Sequence, residues 1–265
     1  MTSFKKHNII NPFDYNEGFN TWNSIKPFPH IIIDNFFKSN IADELEKEFP
    51  NFDDDIWHVY QNKIEVKKTC NNWNVFPNIT YNVFNFLNSS EFTAELSRLF
   101  HKDRPLFSDN GLNGGGWHIH SKGGKLNTHL DYSLHPKLRL QRKLNIIIYL
   151  NSNWEESWGG SLGFWDNKSS EEPGDLIKEV VPKFNRAVIF DTTFNSWHGL
   201  PQEINCPSNE YRKSLAAYYL CNPPKEVDER GKALFAASKD QENDPEIKEL
   251  IKKRSDVNSA HKVYK

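Results

Sequence analysis

Cysteine is scarce. Cys70, Cys206 and Cys221 are the three in 265 residues, an odd number, far apart and in no CxxC or CxxH cluster. That excludes a disulfide framework and a zinc finger. Long apolar runs are missing as well: stretches such as Ile146 to Leu150 are far too short to cross a bilayer, and MTSFKKHNII lacks the apolar core of a signal peptide. Neither sign of charge dominates, because 33 Lys and Arg face 35 Asp and Glu, so electrostatics gives no case for nucleic acid as the main ligand. Internal repeats, low-complexity tracts and Gly/Ser/Pro linkers are absent too. The glycine clusters Gly114–Gly116, Gly123-Gly124 and Gly159-Gly160 have neither a GxxxxGK[ST] nor a GxGxxG pattern, so they read as tight turns and bulges between strands, not phosphate loops. No Ser-His-Asp or Cys-His arrangement stands out. These absences lead to the expectation of a cytoplasmic protein without a membrane or nucleic-acid partner; nothing in the sequence sets an oligomeric state.

What is present is aromatic. Only 37% of residues are hydrophobic but 14% are Phe, Trp or Tyr, so large rings must fill the interior. The length suits a single domain over 1–265. It divides into an N-terminal α/β support (1–113), a β core (114–222) and a C-terminal tail with a short helix (223–265). In the support, His30–Asp34 reads as a buried strand. Ser39 or Asn40 offers an N-cap to a helix carrying Ile41, Leu45 and Phe49, and a second helix starts near Ser89 or Ser90. In the core, short β-type runs alternate with turn residues: 126–131, 143–150, 161–165, 177–181, 187–190 and 214–220. That pattern predicts a β-sandwich or barrel. In the tail, Asp244-Pro245 is a cap followed by proline at the first helical position.

Within the core, His129-Leu130-Asp131 places an imidazole and a carboxylate on one face of a strand. Alone that triplet is a weak signal. A second histidine, His198, follows in Ser196-Trp197-His198-Gly199, and Arg212 opens the strand Arg212–Tyr219. Two histidines and one carboxylate leave coordination positions open on a metal, as in non-haem Fe(II) oxygenases. A buried arginine in the same barrel must pair with an anion, and the far carboxylate of a dicarboxylate co-substrate suits it.

In this order the pieces Leu126–Asp131, Asn145–Asn151, Trp158–Leu162, Ala187–Phe190, Ser196–Gly199 and Arg212–Leu215 resemble the prolyl-hydroxylase-type branch of the Fe(II)/2-oxoglutarate-dependent dioxygenases. The resemblance covers roughly 100 residues. It implies a mainly β fold with flanking α-helices around a double-stranded β-helix, a cupin-like jelly roll. It implies Fe(II) bound by His129, Asp131 and His198, with 2-oxoglutarate and O₂ as co-substrates and ascorbate as an accessory reductant. Arg212 would hold the distal carboxylate of 2-oxoglutarate, Tyr149 would hydrogen-bond the same group, and Asn145 and Ile147 would line the pocket, with Leu162 on its wall. The implied reaction hydroxylates an unactivated C–H bond and releases succinate and CO₂. The acceptor is a peptide or a small molecule: a prolyl residue, a free amino acid, a sugar or another metabolite. A cupin-like isomerase and a non-catalytic jelly-roll binding module are the competing readings. The spacing from His198 to Arg212 is longer than in the animal prolyl hydroxylases, and a shifted register would move the anion role to Lys213.

Other residues have bland readings beside sharp ones. His118 and His120 share a strand face, and one of them could hydrogen-bond substrate or co-substrate. His135 reads as structural or solvated. Arg139, Arg142 and Lys143 read as a solvated strand edge, with an anionic substrate across the mouth as the functional version. Asp191 reads as a cap on the turn before His198.

Overall fold

The structure, a computed structural model, describes residues 8–12, 21–101 and 104–263. Residues 1–7, most of the stretch read above as lacking a leader, lie outside the described residues.

Among the described residues, fourteen strands build two antiparallel sheets that face each other. In chain order they are β1 (His30–Ile33), β2 (His58–Gln61), β3 (Glu65–Cys70), β4 (Phe107–Ser108), β5 (Gly116–His120), β6 (Lys125–Leu126), β7 (His129–Leu130), β8 (Gln141–Tyr149), β9 (Leu162–Asn167), β10 (Pro173–Val180), β11 (Ala187–Asp191), β12 (His198–Gly199), β13 (Arg212–Cys221) and β14 (Leu234–Phe235). The larger sheet runs β1-β11-β8-β13-β5-β3-β2, with β4 on β13 and β6 on β3; the smaller runs β10-β9-β12-β7-β14. This is a jelly roll with helices on its outer side.

Runs such as Ile146–Ile148 and Ala187–Phe190 are apolar on both faces because the larger sheet is covered twice. Its outer face packs on α1 (Ser39–Lys47), α2 (Asn78–Leu87) and α3 (Ser90–Phe100) through Leu45, Phe84, Phe92, Ile146 and Tyr219. Its inner face meets the smaller sheet through Phe28, Tyr149, Phe164 and Phe190. Rings do fill both layers.

Two helix starts match their caps. The Ser89 side chain accepts from Phe92 N, and that of Asp244 accepts from Glu246 N and Ile247 N at the head of α4 (Pro245–Ser255). The first helix differs: it begins at Ser39, and Lys38 occupies the cap position without a side-chain bond. Leu126–Asp131 also departs from the expected single strand. It splits because β6 pairs with β3 in the larger sheet whereas β7 pairs with β12 in the smaller. The crossing is held by Asn127, whose amide nitrogen donates to Ala236 O at 3.0 Å and Gln241 Oε1 at 2.6 Å.

Strands from both the N-terminal support and the C-terminal tail join the sheets. β1 lies against β11, and β14 pairs with β7. Gly116 fixes the start of β5: φ is 93°, and a Cβ there would sit 2.1 Å from Cys70 O.

Candidate metal centre and co-substrate pocket

The short strands β7 and β12 bring His129 and His198 opposite each other, with ring centroids 4.3 Å apart. Asp131 follows one turn of the pleat later. Its Oδ1 is 3.8 Å from His129 Nε2 and its Oδ2 is 3.9 Å from His198 Nε2. The donor atoms of all three lie within 4.8 Å of one another. That spacing suits a single ion bound by two imidazoles and a carboxylate.

Each histidine is oriented by the backbone two residues earlier. His129 Nδ1 donates to Asn127 O at 3.0 Å and His198 Nδ1 to Ser196 O at 2.7 Å, which leaves both Nε2 lone pairs facing the shared point. Phe235 of β14 stacks on His129 with centroids 4.9 Å apart, and Phe190 meets His198 edge-on at 4.8 Å. The rings keep water from the outer side of the ligands. Burial, then the neighbouring His198, holds the His129 pKa down at about 3, so the imidazole is neutral and able to coordinate.

Asp131 is held from behind. Arg142 Nη1 is 3.3 Å from Asp131 Oδ1, and Asn145 Nδ2 is 3.4 Å from Oδ2. Burial alone would raise the Asp131 pKa, but Arg142 first and the two histidines after it bring it to about 2. Arg142 is therefore not a solvated strand edge. It is 2% exposed, its guanidinium lies between Tyr132 and Tyr218 at 3.5 and 3.4 Å from the ring centroids, and its Nη2 donates to Asn113 O at 2.8 Å. A bulge explains the misreading: Tyr219 pairs with Leu144 but Leu220 with Arg142, so Lys143 is an extra residue and the alternation of β8 flips there. Lys143 turns to Asp191 at 2.5 Å, and Asp191 caps its turn by accepting from Thr193 N at 2.8 Å.

A cavity of about 220 Å³ opens beside the three ligands, and Asn145, Ile147, Leu162 and Arg212 line it. Arg212 is buried at 4% exposure, donating from Nε to Gly160 O at 2.6 Å and from Nη2 to Tyr149 Oη at 3.3 Å. Lys213 points to the opposite face, over the Phe49 ring. Gly160 is needed for this contact, since φ is 77° and a Cβ would approach Arg212 Cδ to 3.0 Å. The cavity thus has a His-Asp-His end and a guanidinium end. Arg212 has no carboxylate partner among the described residues, so a dianion such as 2-oxoglutarate fits the space between.

Sequence reasoning missed the far wall. Lys67, Lys232 and Arg254 also line the cavity. His118 and His120 do face it. His118 Nε2 is 3.1 Å from Gly114 O, whereas neither nitrogen of the buried His120 has a partner. His135 is structural, 3.5 Å from the Asp109 carboxylate. Burial, reinforced by Arg212, pushes the His120 pKa well below 6.5. The unfolded chain therefore takes up that proton first, and the stability present above pH 6.5 is lost as the pH falls toward the folded value. Thermal melts of metal-free protein at pH 7, 6 and 5 should show Tm falling by several degrees, and falling less in His120→Asn. Equal slopes in the two proteins would contradict a neutral buried His120.

Comparison with known proteins agrees with this architecture. Residues 115–220 match the family model of the 2OG-Fe(II) oxygenase superfamily. Over that stretch the chain is similar to 2OG-Fe(II) oxygenase domains. Over 91 residues it is 29% identical to prolyl 3-hydroxylase OGFOD1 of Xenopus laevis, a match covering 33% of this chain and 17% of that relative. The mouse OGFOD1 is 25% identical over 87 residues, 31% of this chain and 16% of the relative, so the chain spans about a sixth of the length of these relatives. A Pseudomonas putida prolyl-4-hydroxylase shares the fold at TM-score 0.54 and 12% identity, covering 80% of this chain and all of that one. HygX from Streptomyces hygroscopicus, solved with nickel, 2-oxoglutarate and hygromycin B, aligns at TM-score 0.52 and 12% identity over 77% of this chain and 86% of its own. No described helix is long and apolar enough to cross a membrane.

Proposed function

We propose that this chain is an Fe(II)- and 2-oxoglutarate-dependent dioxygenase that hydroxylates an unactivated C–H bond, with a prolyl residue of a peptide as the leading acceptor. A free amino acid, a sugar or another small metabolite would be served by the same chemistry. One observation carries the reading: three ligand side chains and a buried guanidinium stand at two ends of one cavity. His129, Asp131 and His198 would hold the iron. Bound there, iron supplies the redox chemistry that couples oxidative decarboxylation of 2-oxoglutarate, to succinate and CO₂, with hydroxylation by O₂.

The protein's own groups set geometry and dryness. Arg212 pairs with the distal carboxylate of the co-substrate, and the Tyr149 hydroxyl, 3.3 Å from Arg212 Nη2, is placed to share that carboxylate. Asn145 and Ile147 shape the pocket between. A non-catalytic binding module would not need a ligand triad and an anion anchor set across one cavity. The three free, buried thiols fit a reducing, cytoplasmic setting.

Succinate formation from 2-oxoglutarate tests the reading. It should require Fe(II), stop on chelation, and resume when iron is restored. Arg212→Ala should raise the half-saturating 2-oxoglutarate concentration by about 10–100-fold, the worth of a charge-assisted contact of about 1.5–3 kcal/mol. An Arg212→Ala protein saturating like wild type would remove the assigned role.

A further inference from the structure

We propose that the substrate of this site carries an anionic group, a carboxylate or a phosphate, received by Lys67 and Lys232 on the wall away from Tyr149. The inference rests on the dioxygenase reading and adds a substrate class to it.

Charge makes the first argument. Lys67, Arg142, Arg212, Lys232 and Arg254 line the cavity, against Asp131 as its carboxylate among the described residues. Glu65 adds one more negative charge behind the wall, 0% exposed, with Arg254 Nε 2.8 Å from its Oε1 and Lys67 Nζ 3.6 Å from its Oε2. Five cations thus face two carboxylates. Arg142 is balanced by Asp131, and Arg254 by Glu65. A ferrous ion and a 2-oxoglutarate dianion would cancel each other. Three positive charges remain, Arg212 at the 2-oxoglutarate end and Lys67 and Lys232 on the other side, where Lys67 shares Glu65 with Arg254 and Lys232 has no carboxylate within ion-pair distance among the described residues. Buried surplus charge of one sign is unfavourable until an opposite charge arrives.

Placement makes the second. Lys68 pairs with Ile119, and His120 with Arg212. Continuing the β3–β5 register by one residue sets Lys67 opposite His120, so Lys67, His120 and Arg212 form a row across three strands of the cavity floor. Neighbouring strands are about 4.8 Å apart, which puts Lys67 two strands, roughly 10 Å of backbone, from Arg212. The Lys67 ammonium stands 5.0 Å from the Tyr60 ring centroid, with its side chain 13% exposed. Between the cations, His120 is 2% exposed and neither ring nitrogen has a partner. A neutral imidazole there has an N–H to donate, and an anionic oxygen bound by Lys67 would accept it. The orphaned histidine and the surplus lysines therefore call for the same ligand chemistry.

The test uses the full chain loaded with Fe(II) and 2-oxoglutarate without oxygen, titrated by calorimetry. The probes are inorganic phosphate, N-acetyl-L-proline against N-acetyl-L-prolinamide, and a proline peptide with a flanking Asp against the same peptide with Asn. The anionic member of at least one pair should bind tenfold or more tighter than its neutral partner. Discrimination by the free acid places the charge on the reacting molecule itself; discrimination by the peptide pair alone places it on a neighbouring side chain. Lys67→Met with Lys232→Met should erase the preference and weaken phosphate at least tenfold, leaving 2-oxoglutarate affinity within twofold of wild type. Neutral probes binding as well as their acids, or phosphate binding the double variant as tightly as wild type, would overturn the proposal. Failure of the underlying dioxygenase reading looks different: 2-oxoglutarate would show no metal-dependent binding before any probe is added.

Discussion

Replacing His129 or His198 by alanine is expected to abolish succinate formation, by roughly a thousandfold or more, which corresponds to about 4 kcal/mol of lost transition-state stabilisation. Each imidazole supplies one of the three donors gathered within 4.8 Å, and losing one leaves a two-donor site that should hold an ion far more weakly. The fold should survive, because the neighbouring strands pair through main chain and Phe164, Phe190 and Phe235 still pack. Metal content after gel filtration, measured beside thermal melts, separates the outcomes. A variant that melts like wild type and retains one iron per chain would refute the ligand assignment. The orienting contacts are beyond reach of side-chain mutation, since both Nδ1 atoms donate to carbonyls of the backbone.

Arg142→Gln is the second large effect. Removing one partner of a buried ion pair leaves the other uncompensated, typically costing about 3–5 kcal/mol. Here the orphan would be Asp131, 3.3 Å from the lost guanidinium, and the two tyrosine faces would lose their cation as well. The sign of the pH effect follows. In wild type the depressed Asp131 pKa contributes stability above the unfolded value near 3.8, lost as the pH falls toward about 2. Without Arg142, burial pulls that pKa upward, so Tm and iron affinity should decline at a higher pH than in wild type. Arg142→Lys restores charge but not the planar fit between rings, and should recover only part of either property. Iron affinity and acid sensitivity both unchanged in Arg142→Gln would show that the residue does not position Asp131.

The legible parts of the sequence were those where pattern and environment agree. β8, β11 and β13 carry apolar runs because they are covered on both faces, and their family pieces appear in order. His129 and Asp131 share a strand face at a spacing of two, a weak signal that His198 and Arg212 further along the chain strengthened. The far wall was hidden for the opposite reason. Lys67 and Thr69 face a charged cavity and Glu65 is buried behind it, so β3 carries no apolar alternation that marks it as a strand. Arg142 broke the alternation rule at a bulge that only the register with β13 reveals. β14 is two residues long, too brief for any periodicity, yet it delivers Phe235 to His129. α2 was missed because Pro77 and Asn78 look like a loop, while its cap comes from a distant Glu48 that accepts from Ile79 N and Thr80 N at 3.0 and 2.7 Å.

The Glu65–Arg254 contact joins residues 189 positions apart, and β14 reaches back to a strand more than 100 residues earlier. Closing loops that long is slow, because chain entropy must be overcome before the contacts return anything. Along the chain His129, Asp131 and His198 all precede Phe235 and Arg254, so the three donors are synthesised before the residues that cover them. The cover over the three donors is therefore the last part of the site to close, and it depends on these long-range contacts.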